Sequence, residues 1–162
     1  MFILTSWGFI PQYMLVRQFN INDADIFYSL AKEFYSSGAT KRDYDQIVSE
    51  KTFNQVISKH ENLWGFFITD LEEQVVVGYA LITSYWCHEE NGNIIVLDEL
   101  FISPTHRHKG FGKMFLRWLE TEFHEKAVAI TLDVLSTNMV AQDLYNKAGF
   151  SPDGFITFTK NI

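Results

Sequence analysis

The residues with the clearest chemical meaning are two glycines, Gly110 and Gly112, which follow the basic segment 107–109. Glycines at the beginning of a helix leave backbone N–H groups unpaired and place no side chain in front of them. Such N–H groups bind phosphate well. The spacing therefore predicts a site for a phosphate-bearing ligand, although two glycines by themselves are equally consistent with a plain helix start.

The charge around these glycines is opposite to that of the whole chain. No Asp or Glu lies between Leu100 and Leu119, a stretch that contains four Lys or Arg residues in addition to His106 and His108. Removing those four positive charges from the net charge of −7 leaves −11 on the remaining residues. A nucleic-acid-binding domain is usually basic as a whole, so this basic island predicts a local anionic ligand and no nucleic-acid partner. The four residues are Arg107, Lys109, Lys113 and Arg117.

A strand and a helix flank the glycines and would position them. Residues 96–102 are mostly apolar or branched and are followed by Ser103 and Pro104, which indicates a buried strand that ends there. Beyond the glycines, apolar residues recur at helical spacing as far as Phe123. A dinucleotide-binding turn would need a third glycine where Phe115 stands, and the chain has no Gly-Lys-Ser/Thr phosphate loop.

Residues 107–112 also match the pattern Arg/Gln-x-x-Gly-x-Gly/Ala of the GNAT superfamily of acetyl-CoA-dependent N-acetyltransferases. A second stretch, residues 130–150, follows at the spacing expected in that superfamily and resembles its strand, Asn-x-x-Ala and Leu-Tyr-x-Lys-x-Gly-Phe segments. With the order of elements included, the resemblance covers residues 14–150. The matching residues of the second stretch are Asn138, Ala141, Leu144, Tyr145, Lys147, Gly149 and Phe150.

The resemblance implies that acetyl-CoA is the cosubstrate and indicates which residues bind it. Its pyrophosphate would lie against the glycine loop, and backbone groups of the preceding strand would bind the pantetheine arm. A strand amide there could also stabilise an oxyanion. Asn138 would bind the pantetheine through its amide, or would only cap its helix. The implied binding residues are Leu100, Phe101, Ile102, Arg107, His108, Lys109, Gly110, Phe111, Gly112, Lys113, Asn138, Tyr145 and Lys147.

Two adjacent carboxylates, Asp98 and Glu99, stand on the strand just before the loop. An amine with a pKa of ~10.4 must lose its proton before it attacks a thioester, at a cost of about 4–5 kcal/mol at neutral pH. A carboxylate in the cleft is a suitable acceptor of that proton. Alternation sends the two side chains to opposite faces, and a bulge expected from the resemblance obscures which one faces the cleft. We favour Glu99 as the base over Asp98, although either could simply form an ion pair at the rim.

Tyr145 occupies the position at which the superfamily has a phenol that protonates the departing sulfur of CoA. A phenol with a pKa of ~10 is a suitable proton donor to a thiolate. The alternative is a tyrosine packed in the core. The amine would attack directly in a ternary complex without a covalent enzyme intermediate, and we interpret Cys87 as a packed thiol rather than a nucleophile.

The acceptor is predicted from charge. In the superfamily two helices and a loop shape the acceptor pocket, and here those segments carry six acidic residues. An acidic rim would attract a small cationic primary amine, although solvated helix faces have the same composition. A protein or peptide amine, and a catalytically silent acetyl-CoA sensor or interaction module, are the alternatives. The six acids are Glu33, Asp43, Asp45, Glu50, Glu89 and Glu90.

Length and composition predict one domain, since the 162 residues are 47% hydrophobic and can form a proper core. We expect an extension at residues 1–13 before a domain at residues 14–162, with Met14 as an alternative start. A single cysteine, no signal peptide and no apolar run of ~20 residues predict a cytoplasmic protein without a membrane partner. His106 and His108 have no third ligand nearby in sequence, so no metal is expected. A homodimer is left open.

The order of patterns predicts an α/β fold of the α+β type, with helices on both faces of a mixed, mostly antiparallel central sheet. The GNAT fold has this form. Strands are expected at residues 15–19, 63–69, 75–84, 94–102, 128–134 and 155–159. Helices are expected from Asn20 or Asn22 to Gly38, at residues 43–60, from Gly112 to Phe123, and at residues 139–147.

Overall fold

The computed structural model describes residues 13–162, so the extension expected at residues 1–13 lies almost entirely outside the described part of the chain. That part contains five strands and four helices. The strands are β1 (Met14–Gln18), β2 (Leu63–Asp70), β3 (Val75–Cys87), β4 (Gly92–Ile102) and β5 (Ala129–Leu132). The helices are α1 (Ala24–Ser36), α2 (Gln46–Ile57), α3 (Phe111–Phe123) and α4 (Met139–Lys147), with 3-10 turns at Ile21–Asp23 and Pro104–His106.

The strands form one five-stranded sheet in the order β1-β2-β3-β4-β5. Neighbours from β1 to β4 are antiparallel, and β5 joins the edge of β4 in parallel. The β4–β5 pairing runs only from Ile94 to Leu97, although β4 continues to Ile102. Residues 98–102 therefore have no neighbouring strand on that side within the described chain, and a gap opens between the two strands.

Helices cover both faces of the sheet, and each face has its own apolar core. On one face, Phe27 and Phe34 of α1 and Phe53 of α2 pack against Phe67 and Tyr79 of the sheet. On the other face, α3 packs through its apolar side and α4 lies against the same core. The fold predicted from the sequence is confirmed, and no helix within residues 13–162 is long and apolar enough to cross a membrane. The buried residues of α3 are Phe111, Met114, Phe115, Leu116, Leu119 and Phe123.

Side-chain caps explain where the first two helices begin. The Asn20 side chain accepts the N–H of Asn22 at 2.9 Å, and Asn20 also forms a capping box with Asp23. These bonds start the 3-10 turn that leads into α1. The Asp45 carboxylate accepts the N–H of Ile47 at 2.8 Å, so α2 begins at Gln46 rather than at the predicted residue 43.

The strand predicted at residues 155–159 is wrong, because residues 151–162 form neither helix nor strand. Phe155, Ile156 and Phe158 are largely exposed to solvent. Apolar residues supply strand propensity, but a strand also needs a neighbour whose N–H and C=O groups it can pair with. The edge strand β5 is only four residues long and offers little edge for such pairing.

Candidate active site

A β-bulge at Asp98 decides which acidic side chain faces which side of the sheet. In the β3–β4 ladder Leu97 lies opposite Ile82 and Glu99 lies opposite Leu81, so Asp98 has no partner. The extra residue interrupts strict alternation. Glu99 therefore faces the α1–α2 side of the sheet together with Leu81, whereas Leu97 faces the α3 side together with Ile82.

Two tyrosine hydroxyls hold the Glu99 carboxylate. Tyr35 of α1 donates to Oε1 at 2.7 Å, and Tyr79 of β3 donates to Oε2 at 2.5 Å. Each carboxylate oxygen has a second lone pair, so Glu99 can still accept a proton from the cleft. Neither tyrosine is predicted as a site residue from the sequence. A phenol inside a buried strand needs an acceptor, which is a signal that could have drawn attention to Tyr79, whereas Tyr35 carries no comparable signal.

The surroundings change the acidity of both carboxyl groups. Burial raises the pKa of Glu99, and the hydrogen bonds from Tyr79 and Tyr35 partly oppose that rise. The pKa of Asp98 is raised by burial and then by the negative charge of Asp133, which follows β5. The Asp98 residue is nevertheless largely exposed, so water offsets much of this effect, and Glu99 has the more strongly altered environment. A raised pKa brings a carboxylate closer to the range that suits a general base.

An open cleft of about 530 Å³ lies where β4 and β5 separate. Asp98 and Glu99 line it from β4, while Asn138 and Tyr145 line it from the opening of α4 and from the helix itself. The cleft thus brings together both predicted bases, the predicted acid and the predicted pantetheine ligand. The other lining residues are Phe34, Tyr35, Ala39, Thr40, Lys41, Arg42, Leu97, Leu100, Asp133, Val134, Leu135, Ala141 and Thr157.

Asn138 and Tyr145, the two predicted site residues at α4, make different contacts. Asn138 is the N-cap of the helix, and its side-chain oxygen accepts the N–H of Ala141 at 3.2 Å, which leaves its NH₂ group available to a ligand. Tyr145 packs edge-to-face against Phe150, with ring centroids 6.0 Å apart, and burial raises the pKa of Tyr145. Its side chain lines the cleft, and its hydroxyl forms no hydrogen bond within the described chain.

Exposed backbone donors lie at the beginning of α3. Gly110 caps this helix with a φ of +90°, a conformation that glycine adopts without strain. A Cβ at Gly112 would lie 3.1 Å from Leu144 of α4, so the two helices approach closely at this point. Within residues 13–162, the N–H groups of residues 110–113 donate to no acceptor, as expected for a first helical turn. These four amides have the arrangement that binds phosphate.

Two basic side chains of the glycine loop are already engaged. Arg107 folds back so that its Nε donates to the Ile102 carbonyl at 3.0 Å. Lys109 lies 2.7 Å from Glu73 in the β2–β3 turn, and His106 lies 3.1 Å from the same carboxylate. The hydrogen bonds from Lys109 and then from His106 lower the pKa of Glu73. The loop is therefore tied to a hairpin that is distant in sequence.

The same hairpin gives His106 the neighbours that its sequence surroundings lack. Ligand atoms of Asp70, Glu73 and His106 lie within 4.8 Å of one another. Asp70 accepts the N–H groups of Glu72 and Glu73 at 2.8 and 3.3 Å, and His106 is bonded to Glu73. No third ligand is near His106 in the sequence, but the fold brings Asp70 and Glu73 to it, and these hydrogen bonds account for the cluster.

Several predicted residues lie away from the cleft or act only through their backbone. Lys147 is exposed and pairs with Asp143 of its own helix at 2.7 Å. His108 and Lys113 are exposed at the beginning of α3. The Phe101 side chain is buried against α1, so only its backbone could contact a ligand.

The acidic residues on which the acceptor prediction depends also lie away from the cleft. Within the described chain, none of the six acidic residues of the two helices and the loop lines the cleft. Glu33 instead accepts a hydrogen bond from Ser103 at 3.0 Å, and Asp45 caps α2. The acids that do line the cleft are Asp98, Glu99 and Asp133.

Solved structures of other proteins share the fold of this chain. A possible acetyltransferase from Clostridium difficile 630 has a similar structure, with a TM-score of 0.81 and 16% identity over 93% of this chain and 99% of that one. Aminoglycoside acetyltransferase AAC(6')-Iy, in complex with the bisubstrate analogue CoA-S-monomethyl-acetylneamine, gives 0.74 and 15% over 93% and 99%. The ribosomal-protein-alanine N-acetyltransferase from Brucella melitensis biovar Abortus 2308 gives 0.74 and 15% over 93% and 100%.

Sequence comparison identifies the family directly. No curated protein is significantly similar in sequence to this chain. The profile of the Acetyltransferase (GNAT) family, however, matches residues 24–150, which is most of the chain. The structural neighbours have the same fold, in agreement with the resemblance seen in residues 107–112 and 130–150. The chain therefore belongs to the Acetyltransferase (GNAT) family and is an acyltransferase.

Proposed function

We propose that this protein transfers the acetyl group of acetyl-CoA to a primary amine, which binds as its ammonium form, by direct attack in a ternary complex. The observation that carries the proposal is that Glu99 and Tyr145 line one cleft. Acyl transfer without a covalent intermediate needs a base for the amine and an acid for the leaving group. Gly112 lies against Leu144, the neighbour of Tyr145, so the beginning of α3 packs against the helix that carries the proposed acid.

The residues beside the cleft fit acetyl-CoA. The N–H groups of residues 110–113 would bind its pyrophosphate, with the exposed Lys113 nearby. Residues 98–102 of β4 have no strand beside them on the β5 side within the described chain. Apart from the Ile102 carbonyl, which accepts from Arg107, the N–H and C=O groups that point to that side would bind the amide-rich pantetheine arm. The similar structure of AAC(6')-Iy holds a bisubstrate analogue that contains CoA, which supports this assignment.

The proposed proton transfers use Glu99 and Tyr145, which line the cleft. Glu99 would accept the ammonium proton, directly or through one water molecule. The amine nitrogen then forms a bond to the thioester carbonyl carbon, the carbon–sulfur bond breaks, and the nitrogen loses its second proton to solvent water. Tyr145 would give its hydroxyl proton to the leaving sulfur and regain a proton from solvent. Tyr35 and Tyr79 would keep the Glu99 carboxylate in one orientation through their hydrogen bonds.

Release of free thiol from acetyl-CoA, together with the mass of the product, tests the proposal with a panel of small amines and one peptide with a free N-terminus. Glu99→Gln should lower the rate by ~10²- to 10⁴-fold, because proton transfer typically contributes that much. The loss should be greater at neutral pH than near the pKa of the amine, where the amine is already deprotonated. Asp98→Asn, which removes the alternative base, is the matched comparison. If Asp98→Asn costs as much as Glu99→Gln, Glu99 is not the specific base.

The variant Tyr145→Phe distinguishes the hypothesis of an enzyme from that of a catalytically silent acetyl-CoA-binding module. The substitution removes only the hydroxyl, so acetyl-CoA affinity measured by calorimetry should stay unchanged while turnover falls by ~10²- to 10⁴-fold. A loss of less than about threefold would mean that Tyr145 only packs in the core. A wild-type protein that binds acetyl-CoA but releases no thiol with any amine would contradict the proposed activity.

A further inference from the structure

The cleft carries cations as well as acids. Lys41 and Arg42 belong to the connection between α1 and α2, and they line the cleft together with Asp98, Glu99 and Asp133. The cations come from that connection, whereas the acids come from β4 and from the residue that follows β5. Positive and negative groups are therefore carried by different elements around one cavity.

The charges of these two cations are not neutralised by ion pairs within the described chain. Neither Lys41 nor Arg42 forms an ion pair with any residue of the described chain, and both are exposed. The charge of Arg42 acts on Tyr35, whose pKa is raised by burial and by Glu99 and is partly lowered by Arg42. The Arg42 N–H also donates to the Thr40 hydroxyl at 3.3 Å, which orders the turn that carries the guanidinium.

We infer that the acceptor is a small zwitterion, which carries a carboxylate or phosphate group in addition to the amine that is acetylated. This inference rests on the proposed acetyl transfer. Asp98, Glu99 and Asp133 bind the ammonium end, and Lys41 and Arg42 bind the oxyanion end. Arg42 suits that role because a guanidinium presents paired N–H donors that match the oxygens of a carboxylate or phosphate.

The phosphates of acetyl-CoA do not need these two cations. The proposed pyrophosphate site is at residues 107–113, and none of those residues lines the cleft within the described chain. A polyamine is a poor fit as well, because its second ammonium group would meet Lys41 or Arg42, and like charges at a binding site discriminate strongly against a ligand. The acceptor is therefore a primary amine that also carries an anionic group, a smaller class than the cationic amines expected from composition.

A matched series of acceptors tests this inference. Each ω-amino carboxylate, from glycine to 6-aminohexanoate, is compared with the n-alkylamine and the diamine of the same chain length, and aminoalkyl phosphonates are compared with the carboxylates. The readout is kcat/KM for thiol release at saturating acetyl-CoA. We expect the best zwitterion to exceed its matched alkylamine and diamine by roughly tenfold or more, as a charge-assisted bidentate contact is a strong one. The carboxylate and phosphonate arms identify the preferred oxyanion.

Charge-removing variants assign the preference to residues. In Arg42→Gln and Lys41→Gln the ratio of zwitterion to alkylamine rates should fall several-fold, whereas Arg42→Lys should keep part of it. Lys51→Gln removes the same charge from an exposed position on α2 outside the cleft lining and serves as the control. Equal or better rates with alkylamines or diamines would overturn the inference, as would a preference that survives both cleft variants.

A binding measurement distinguishes failure of this inference from failure of the proposed function. The same pairs are titrated calorimetrically into protein saturated with CoA, which needs no turnover. Tighter binding of the zwitterion that is lost in Arg42→Gln, with no acetylation of any amine, would support the inference and reject the activity. Acetylation with no preference for zwitterions in rate or binding would support the activity and reject the inference.

Discussion

Tyr79→Phe should move the pH dependence of catalysis through its effect on Glu99. The Tyr79 hydroxyl donates to the Glu99 carboxylate at 2.5 Å, and the tyrosine ring is fully buried beside Phe27, with centroids 5.3 Å apart. Phenylalanine keeps the ring and removes only the donor. A hydrogen bond to an ionised group favours that ionised form, so its removal raises the pKa of Glu99.

The size of the effect follows from the strength of the lost bond. A hydrogen bond to a charged group is worth about 1.5–3 kcal/mol, and ~1.36 kcal/mol corresponds to a factor of ten. The ratio of protonated to ionised Glu99 should therefore rise by roughly ten- to hundredfold at a given pH. On the acidic side of the profile kcat/KM should fall by that factor, whereas on the alkaline plateau, where Glu99 is ionised in both proteins, the rate should be nearly unchanged.

The assay is kcat/KM for thiol release from about pH 5 to 9 with one acceptor at saturating acetyl-CoA. Dividing each variant by the wild type cancels the titration of the amine and isolates that of Glu99. Tyr28→Phe is the matched control, because Tyr28 packs in the same core and its hydroxyl forms no hydrogen bond within the described chain. A uniform loss at every pH, or a profile that does not move, would refute the role of Glu99 as the titrating base.

Three further outcomes test other parts of the structure. Gly110→Ala should lower the free energy of unfolding by about 1–2 kcal/mol in urea, because φ is +90° there although no atom lies within 4 Å of the added Cβ. Asp23→Asn should cost about 2 kcal/mol at pH 7. Arg17 lowers the pKa of Asp23, so that stabilisation is present above the unfolded-state pKa and is lost as pH falls through the folded-state pKa. The difference from wild type should thus shrink as pH falls below the ordinary aspartate pKa of ~3.9, and a constant difference would contradict the ion pair. Glu73→Gln should release Lys109 and tighten acetyl-CoA binding a few-fold at low salt, as calorimetry would show, with the gain lost at high salt.

The sequence by itself determined the parts of the site that lie within one or two consecutive elements. Gly110 and Gly112, the helical spacing after them and the apolar strand before them indicated an anion-binding helix start, and the structure has α3 and β4 in those places. Asn138 was predicted to cap a helix or bind a ligand, and it caps α4. These features are readable because glycine conformation, capping and hydrophobic periodicity depend on neighbours a few residues away.

Only the tertiary structure decided what surrounds Glu99. Its partners Tyr35 and Tyr79 are 64 and 20 residues away in the chain, and no local pattern connects them. The bulge at Asp98 sets the face of Glu99, because one extra residue in a strand reverses the direction of every later side chain. The placement of Arg42 in the cleft depends in the same way on how α1 and α2 pack on the sheet.

The tertiary structure also decided where strand propensity was not realised. Residues 155–159 have a strand-like composition, yet they pair with no strand of the described chain. Strand formation depends on a neighbouring edge with the right register, and the sequence of one segment contains no information about that edge. Local chemistry was therefore readable from the sequence, whereas register, bulge and cross-element contacts were set by how the whole sheet and its helices pack together.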